Sequence, residues 1–388
     1  MSNDTLKLSD VKVLAEAHAV LKDHLPLTAA GYVCTTDTLL DALLGVAVNR
    51  GTLERVCTDW LGLPNAETVR GYLNAQLRVE DLPELERRLN AALASQTPAR
   101  VKRAPQGVAI DFHDRPYYGK QSQSEGRWVR GQARDGTTRF YRVATAYVML
   151  KHVRVTLAIR FVLPEDDPLT VLQELLKRLS GQAIRSDCLY LDKGFASSKV
   201  INYLTERQQP ALLACPIRGK AHGTRALCQG PKSYCTPYTF QSPTEGECPA
   251  QLAVCRGFTT AKRTKRLKRR AIWLIYILIH LDLTPKQARR RYRRRFGIES
   301  SYRLAGQVRG WTTSPNPAYR FVLLALSFIL LNVWLCLRWL FAQVARRGRR
   351  GLDTQRFQLF RFAKFILRAL ERLYGCLTEI QARVAPLL

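Results

Sequence analysis

From Val108 to Cys215 the apolar pattern changes period several times, and that succession restricts the fold more than any other feature of the chain. Val108–His113 reads as a strand, and Phe140–Leu150 and Val153–Leu163 alternate like a hairpin around Lys151-His152. Pro168–Leu179 then places apolar residues at 169, 172, 175, 176 and 179, the spacing of one helical face. A strand ending at Asp192, a helix over Ala196–Arg207 and a strand over Ala211–Cys215 follow.

The order β-β-β-α-β-α-β is that of the ribonuclease H fold, an α/β architecture on a mixed sheet. Around it, residues 1–100 read as a helical N-terminal domain. Within them Thr52–Trp60, the turn 61–65 and Ala66–Asn74 read equally as a helix-turn-helix over 52–74 or as an ordinary helical hairpin, with Asn65 as an N-cap and Thr68 and Arg70 on the second helix. Ser95–Gly107, holding Pro98 and Pro105, reads as a linker. The catalytic domain is expected over 105–215 and 271–315, and 216–270 reads as a β-rich insertion before the last catalytic helix. That helix opens at Thr284-Pro285, an N-cap with proline at the first position, and Gly297 marks a point where it can split. Residues 316–388 read as a helical C-terminal region packed behind the sheet.

Charge points to the partner. The 388 residues carry 61 Lys and Arg against 31 Asp and Glu, a net of +30. An excess of this size repels itself unless a polyanion is bound, so nucleic acid is the expected partner and a membrane surface a distant second. Residues 254–310 alone hold 17 Lys and Arg against two acids, Asp282 and Glu299, which is half of the net charge. In Lys262–Arg270 seven of nine residues are basic: Lys262, Arg263, Lys265, Arg266, Lys268, Arg269 and Arg270.

Residues 1–30 lack the charged start, apolar core and cleavage site of a secretory signal. The ten cysteines are scattered and suit reduced cytosolic thiols. Cys228/Cys235 and Cys248/Cys255 are each separated by six residues, wider than the usual zinc spacing, and are expected to face the core of strands or hairpins. Phe321–Leu337 is almost continuously apolar, but it falls short of a membrane span and Arg338 follows it. It is expected as a buried helix, with no membrane partner.

Three carboxylates stand out from this basic background. Asp111 ends the run Val-Ala-Ile, Asp192 ends Cys-Leu-Tyr-Leu, and Glu299 lies within an arginine-rich helix. Two aspartates at neighbouring strand ends and a glutamate on a helix suit a cage of oxygen ligands for magnesium. His113 and Asp114, at the end of the first strand, are either groups that support the metal ligands or loop residues, the second reading being slightly preferred.

At Tyr292, Arg295 and Glu299 the spacing is Tyr-x2-Arg-x3-Glu. This resembles the signature of DDE transposases of the insertion sequence 4 group, whose full form adds x6-Lys. Asp192-Lys-Gly-Phe resembles the second-aspartate motif of that group, and Val-Ala-Ile-Asp111 its first; the resemblance covers roughly residues 105–345. It implies that Asp111, Asp192 and Glu299 are catalytic and hold two Mg2+ or Mn2+ ions for cleavage and strand transfer of double-stranded DNA. It implies also that Tyr292 and Arg295 reach phosphates of the bound end, with Arg291 and the Lys262–Arg270 run adding charge, and that two chains pair in the end complex. The location implied is cytoplasmic and nucleoid-associated in a prokaryote. One departure is clear: the signature lysine position is Gly306, leaving Arg303 or Arg309 to take that phosphate. Trp273 is expected in the core, and Trp311 is a candidate for base stacking. A nuclease or resolvase that cuts without joining, and a domesticated DNA-binding protein without catalysis, are the competing readings.

Overall fold

Polar caps written in the sequence set where the N-terminal helices begin. In the computed structural model, which describes residues 7–120, 126–150, 155–219, 222–263, 266–346 and 349–380, these are α1 (Asp10–His24), α2 (Thr36–Val48), α3 (Leu53–Asp59) and α4 (Ala66–Gln76). They start after Ser9, Thr35, Thr52 and Asn65, whose side chains each accept the backbone N–H three residues on. Each cap satisfies an amide that has no partner within its helix. Then come α5 (Leu82–Ser95) and α6 (Ala99–Arg103). The stretch 95–107 expected as a linker thus contains a short helix: Pro98 stands at the N-cap of α6 with fixed extended geometry and starts a turn instead of preventing one.

The strands begin with β1 (Gln106–Pro116), β2 (Val129–Arg134), β3 (Thr137–Val148) and β4 (Thr156–Val162). The Lys151-His152 turn lies outside the described residues. Next are α7 (Pro168–Gly181), β5 (Ser186–Leu191), α8 (Ser198–Glu206) and β6 (Ala211–Cys215). In the sheet β3 pairs antiparallel with β1, while β2 and β4 each pair with part of the other edge of β3. β1 pairs parallel with β5, and β5 parallel with β6. This is the ribonuclease H sheet. Its parallel middle is apolar on both faces, with Val108–Ile110 and Cys188–Leu191 all buried.

The sheet does not stop at β6. Strands β7 (Tyr234–Ser242), β8 (Gly246–Arg263) and β9 (Arg266–Ile279) continue it antiparallel in the order β6-β9-β8-β7. The segment expected as an insertion is therefore part of the same sheet, and β9 runs through the expected boundary at 270/271. Its apolar half, Ile275–Ile279, pairs with β6, and its basic half, Arg266–Arg270, pairs with β8. The charge run masked the strand beneath it.

After α9 (Pro285–Tyr292) and α10 (Gly297–Ala305) come α11 (Pro317–Phe341), the short hairpin β10 (Gln343–Arg346) and β11 (Arg349–Leu352), and α12 (Leu359–Tyr374). The chain divides into two compact units. One comprises residues 98–118 and 128–301 and contains the whole large sheet. The other comprises 1–97, 119–127 and 302–388, so the C-terminal region joins the N-terminal helices and also includes a hairpin. The reason lies in α11: it is apolar nearly all round, as a helix must be to sit within a bundle, and it packs on α5, α2 and α1. In its most apolar window 89% is buried, which marks a core helix.

Packing in the helical unit is tight at Gly45 on α2, where an added methyl would collide with the ring of Trp60, itself buried and stacked on Tyr374 at 6.3 Å. Gly71 on α4 has open space around it. Gly45→Ala is expected to destabilise by about 1–3 kcal/mol through overpacking, whereas Gly71→Ala should stabilise by about 0.5–1 kcal/mol by relieving the helix of its glycine. Urea denaturation of the two variants separates these outcomes by sign.

Candidate active site

The two aspartates are brought together by strand register. β1 and β5 pair in parallel through Ile110–Leu191, and Asp111 and Asp192 are the next residue on each strand. Asp111 does not end its strand: pairing with β3 continues from Asp111–Thr145 to Pro116–Phe140. It ends only the parallel part of the ladder, beyond which β1 is free on its β5 side. His113 and Asp114 are consequently strand residues and not loop residues, and Asp114 receives a two-pronged hydrogen bond from Arg142 at 2.6 and 3.0 Å.

The residues beside each aspartate clamp the pair. Phe112 and Phe195 stack face to face, with ring centres 4.4 Å apart and planes within 5°. After Asp192 the chain makes a 3-10 turn over Lys193–Phe195, and the Phe195 amide donates to Asp192 O at 3.0 Å. A side chain on Gly194 would press on the Phe112 ring at 3.3 Å. The Asp-Lys-Gly-Phe sequence therefore has a local meaning: a turn that returns Phe195 to the core and a glycine that leaves room for its partner.

A third element enters from α9. Its start is held by a capping box between Thr284 and Gln287, with Pro285 inside the first turn. At its end Tyr292 is buried, packs on Tyr276 at 4.8 Å and donates its hydroxyl to Leu191 O at 3.1 Å. The helix then tightens into a 3-10 turn, Arg293–Phe296, before α10 starts at Gly297. Tyr147 on β3 donates to Arg295 O at 3.0 Å and fixes that turn. Arg295, only 5% exposed, spans both aspartates: Nη1 donates to Asp111 Oδ2 at 2.8 Å and Nη2 to Asp192 Oδ1 at 3.2 Å.

Two carboxylates face one guanidinium, so the cluster is one positive charge short. Burial pushes the Asp111 carboxyl up to about 6; Arg295 pulls it down, while the Asp192 charge raises it. For Arg295, burial opposes the charge, but Tyr292, Asp111 and Asp192 outweigh it and raise its pKa. A carboxyl whose pKa is raised on folding keeps a proton that the unfolded chain has lost, so stability declines between about pH 4 and 6 and the cost persists above. The pair thus suits a further cation.

Glu299 is exposed in the first turn of α10. Because the 3-10 turn interrupts the helix, Tyr292, Arg295 and Glu299 do not share one continuous helical face. Among the described residues no group of three His, Cys, Asp or Glu side chains is arranged to hold a metal ion. Two of the three expected ligands therefore converge, with an arginine between them, and the third does not complete the set.

The expected DNA-contacting residues are dispersed. Lys262 and Arg263 on β8, and Arg266, Lys268, Arg269 and Arg270 on β9, lie along the far part of one hairpin, while Lys265 is outside the described residues. Arg291 is exposed on α9 and Arg303 on α10. Arg309 lies over the half-exposed Trp311 ring at 5.2 Å, and Gly306 opens a short 3-10 turn with open space around it. Trp273 is only partly buried, with Arg256 over its ring. In the helix-turn-helix segment the Thr68 amide is taken by Asn65, and Arg70 pairs with Glu54 at 3.0 Å. Cys248 and Cys255 are buried, whereas Cys235 is exposed. Sequence reasoning missed Phe112, Tyr147 and Phe195 as supports of the site. Their only signal was position next to a motif aspartate or in a neighbouring strand.

The ribonuclease H sheet thus carries two acidic residues side by side at the end of its parallel ladder. Residues 102–333, more than half of the chain, match the model of the family described as Transposase DDE domain, and the protein belongs to that family. Among solved structures it is similar to the piggyBac transposase in its synaptic complex with hairpin DNA, at 10% identity and a TM-score of 0.54 over 97% of this chain and 80% of that one. At that identity the likeness is one of fold. No curated protein matches.

Removing the bridging guanidinium tests its role. Arg295→Ala should lose about 3 kcal/mol at neutral pH, the cost of leaving buried carboxylate uncompensated. Because the bridge favours the ionised form of Asp111, the variant's carboxyl keeps its proton to a higher pH, so that deficit should shrink as pH falls toward about 6 and stay small below it. Denaturation at acidic and neutral pH measures it; an equal deficit at both would mean that Arg295 acts through packing alone.

Proposed function

We propose that this protein is a transposase of the insertion sequence 4 type that binds the ends of its own element, cleaves there and joins the freed 3′ ends to target DNA. The observation that carries the reading is the Asp111–Asp192 pair, held by register and sharing a single counter-charge. Family membership supports it, as do the +30 net charge and a fold shared with a transposase solved with hairpin DNA. Asp111 and Asp192 would hold the divalent ions, Mg2+ or Mn2+, with Glu299 as the remaining ligand. Two such ions supply an activated water or 3′-hydroxyl and stabilisation of the leaving oxygen.

The residues of the chain itself have distinct tasks in this reading. Arg295 holds two like charges side by side, and its planar guanidinium has the fork that would also hold a phosphate. Tyr292 positions that arginine through its bond to Leu191 O and contributes to the DNA surface only through its neighbours. The helix-turn-helix pattern over 52–74, with Thr68 and Arg70 on α4, would read the element's ends in the major groove. The β8–β9 hairpin, rich in Lys and Arg, would track the backbone, with Arg291, Arg303 and Arg309 adding contacts. Two copies would act together because two ends must meet. The site of action would be the cytoplasm and nucleoid of a prokaryote.

The test is incubation with Mg2+ or Mn2+ and a plasmid carrying the element's ends, scored for end cleavage and strand transfer. Asp111→Asn and Asp192→Asn are each expected to slow cleavage by about 10²–10³-fold while DNA binding is largely kept. Near wild-type cleavage by either variant would remove that aspartate from the site. Cleavage without joining would make the protein a nuclease or resolvase, and binding alone a domesticated DNA-binding protein.

A further inference from the structure

The strongest feature outside the aspartate pair is a cavity of about 690 Å³ between β8 and α9. Arg256 from the strand and Lys286, Arg289, Arg290 and Arg293 from the helix side line it together with Ser233, and no acidic residue does. None of these five cations forms an ion pair with a carboxylate among the described residues. Five like charges around one hollow repel each other unless an anion occupies it.

The walls are built, not incidental. The Cys255 thiol donates to Pro285 O at 3.2 Å, which ties the strand to the first turn of α9. The Arg256 amide donates to Ser233 Oγ at 2.9 Å, and its Nη1 to Pro231 O at 2.9 Å. The same guanidinium lies over the rings of Phe258 and Trp273, at 5.4 and 5.9 Å, and its Nε is buried without a hydrogen-bond partner. A buried donor of this kind is costly unless a ligand or water satisfies it. Across the cavity Arg289 lies against the bare backbone of Gly257, where a β-carbon would stand 2.5 Å from Nη1. The glycine is what lets that guanidinium lie flat on the strand. Several forked donors with no competing acid suit the paired oxygens of a phosphodiester.

We propose that this cavity is a phosphodiester-binding site that grips the backbone of a DNA strand on its way to the aspartates. It rests on the DNA reading above and adds to it a location separate from the metal ligands. Arg289 lies on α9 six residues before Arg295, which stands in the 3-10 turn directly after that helix. A strand seated here would run along α9 toward the turn that carries Arg295. The residues involved are not those of the family signature or of the Lys262–Arg270 run.

The experiment is fluorescence anisotropy of a short labelled DNA duplex with the full chain over a series of NaCl concentrations. The triple variant Arg256→Gln, Arg289→Gln, Arg290→Gln should lower the slope of log affinity against log salt by about 2–3, since each lost phosphate contact removes about 0.9. Its affinity should fall at least about tenfold at moderate salt. Lysine at the same three positions should largely keep the slope. Neutralising three exposed cations elsewhere, Lys12, Arg361 and Lys364, to glutamine should change it far less, which controls for net charge. Should the triple glutamine variant not fold, Arg290→Gln alone, at an exposed position on α9, should lower the slope by about 0.9. An unchanged slope in the variants beside a wild type that binds DNA would overturn the cavity assignment and leave the transposase reading intact. A wild type that does not bind DNA would overturn both.

Discussion

The guanidinium of Arg295 holds together a site that would otherwise push itself apart. Two aspartates brought side by side by strand register repel one another, and one of them is nearly buried. Water is excluded from Asp111 by the same sheet that places it there, so the charge must be balanced from within the protein. Arg295 does this with two bonds from one planar group, and the rest of the local structure serves its placement. The capping box starts α9, the Tyr292 hydroxyl fastens the helix end to Leu191, and Tyr147 pins the 3-10 turn.

That arrangement leaves the aspartate pair with one counter-charge for two carboxylates. A bridging arginine satisfies the aspartates with one charge where two divalent ions would bring four, so the pair is kept short of neutrality. Burial is the main reason that the pKa of Asp111 is raised, and the neighbouring Asp192 charge adds to it.

Beyond the site, the sheet carries a second message. Strands β7 to β9 lengthen the ribonuclease H sheet into a platform whose outer hairpin is basic and whose junction with α9 forms a cationic cavity. Charge that looks like one undivided run in the sequence is thereby separated into places with different partners. Arg295 faces carboxylates, Arg289 and Arg290 face the cavity, and Arg291 faces solvent.

How much of this was legible beforehand follows from the range of each interaction. Strand and helix periods, the N-caps at Asn65 and Thr284, and the motif aspartates are local, so the ribonuclease H order and the Asp111–Asp192 pairing could be read from the chain. The turn at Gly297 was half legible, since glycine marked the split but could not reveal the 3-10 turn before it. Three things required tertiary structure. The basic half of β9 is a strand only because β8 pairs with it; α11 joins the N-terminal helices because it needs apolar cover on every side; and Arg295 turns to the aspartates because Tyr292 and Tyr147 aim it there. In each case the deciding partner lies far away in sequence, and the energy that selects the arrangement exists only once the chain has folded.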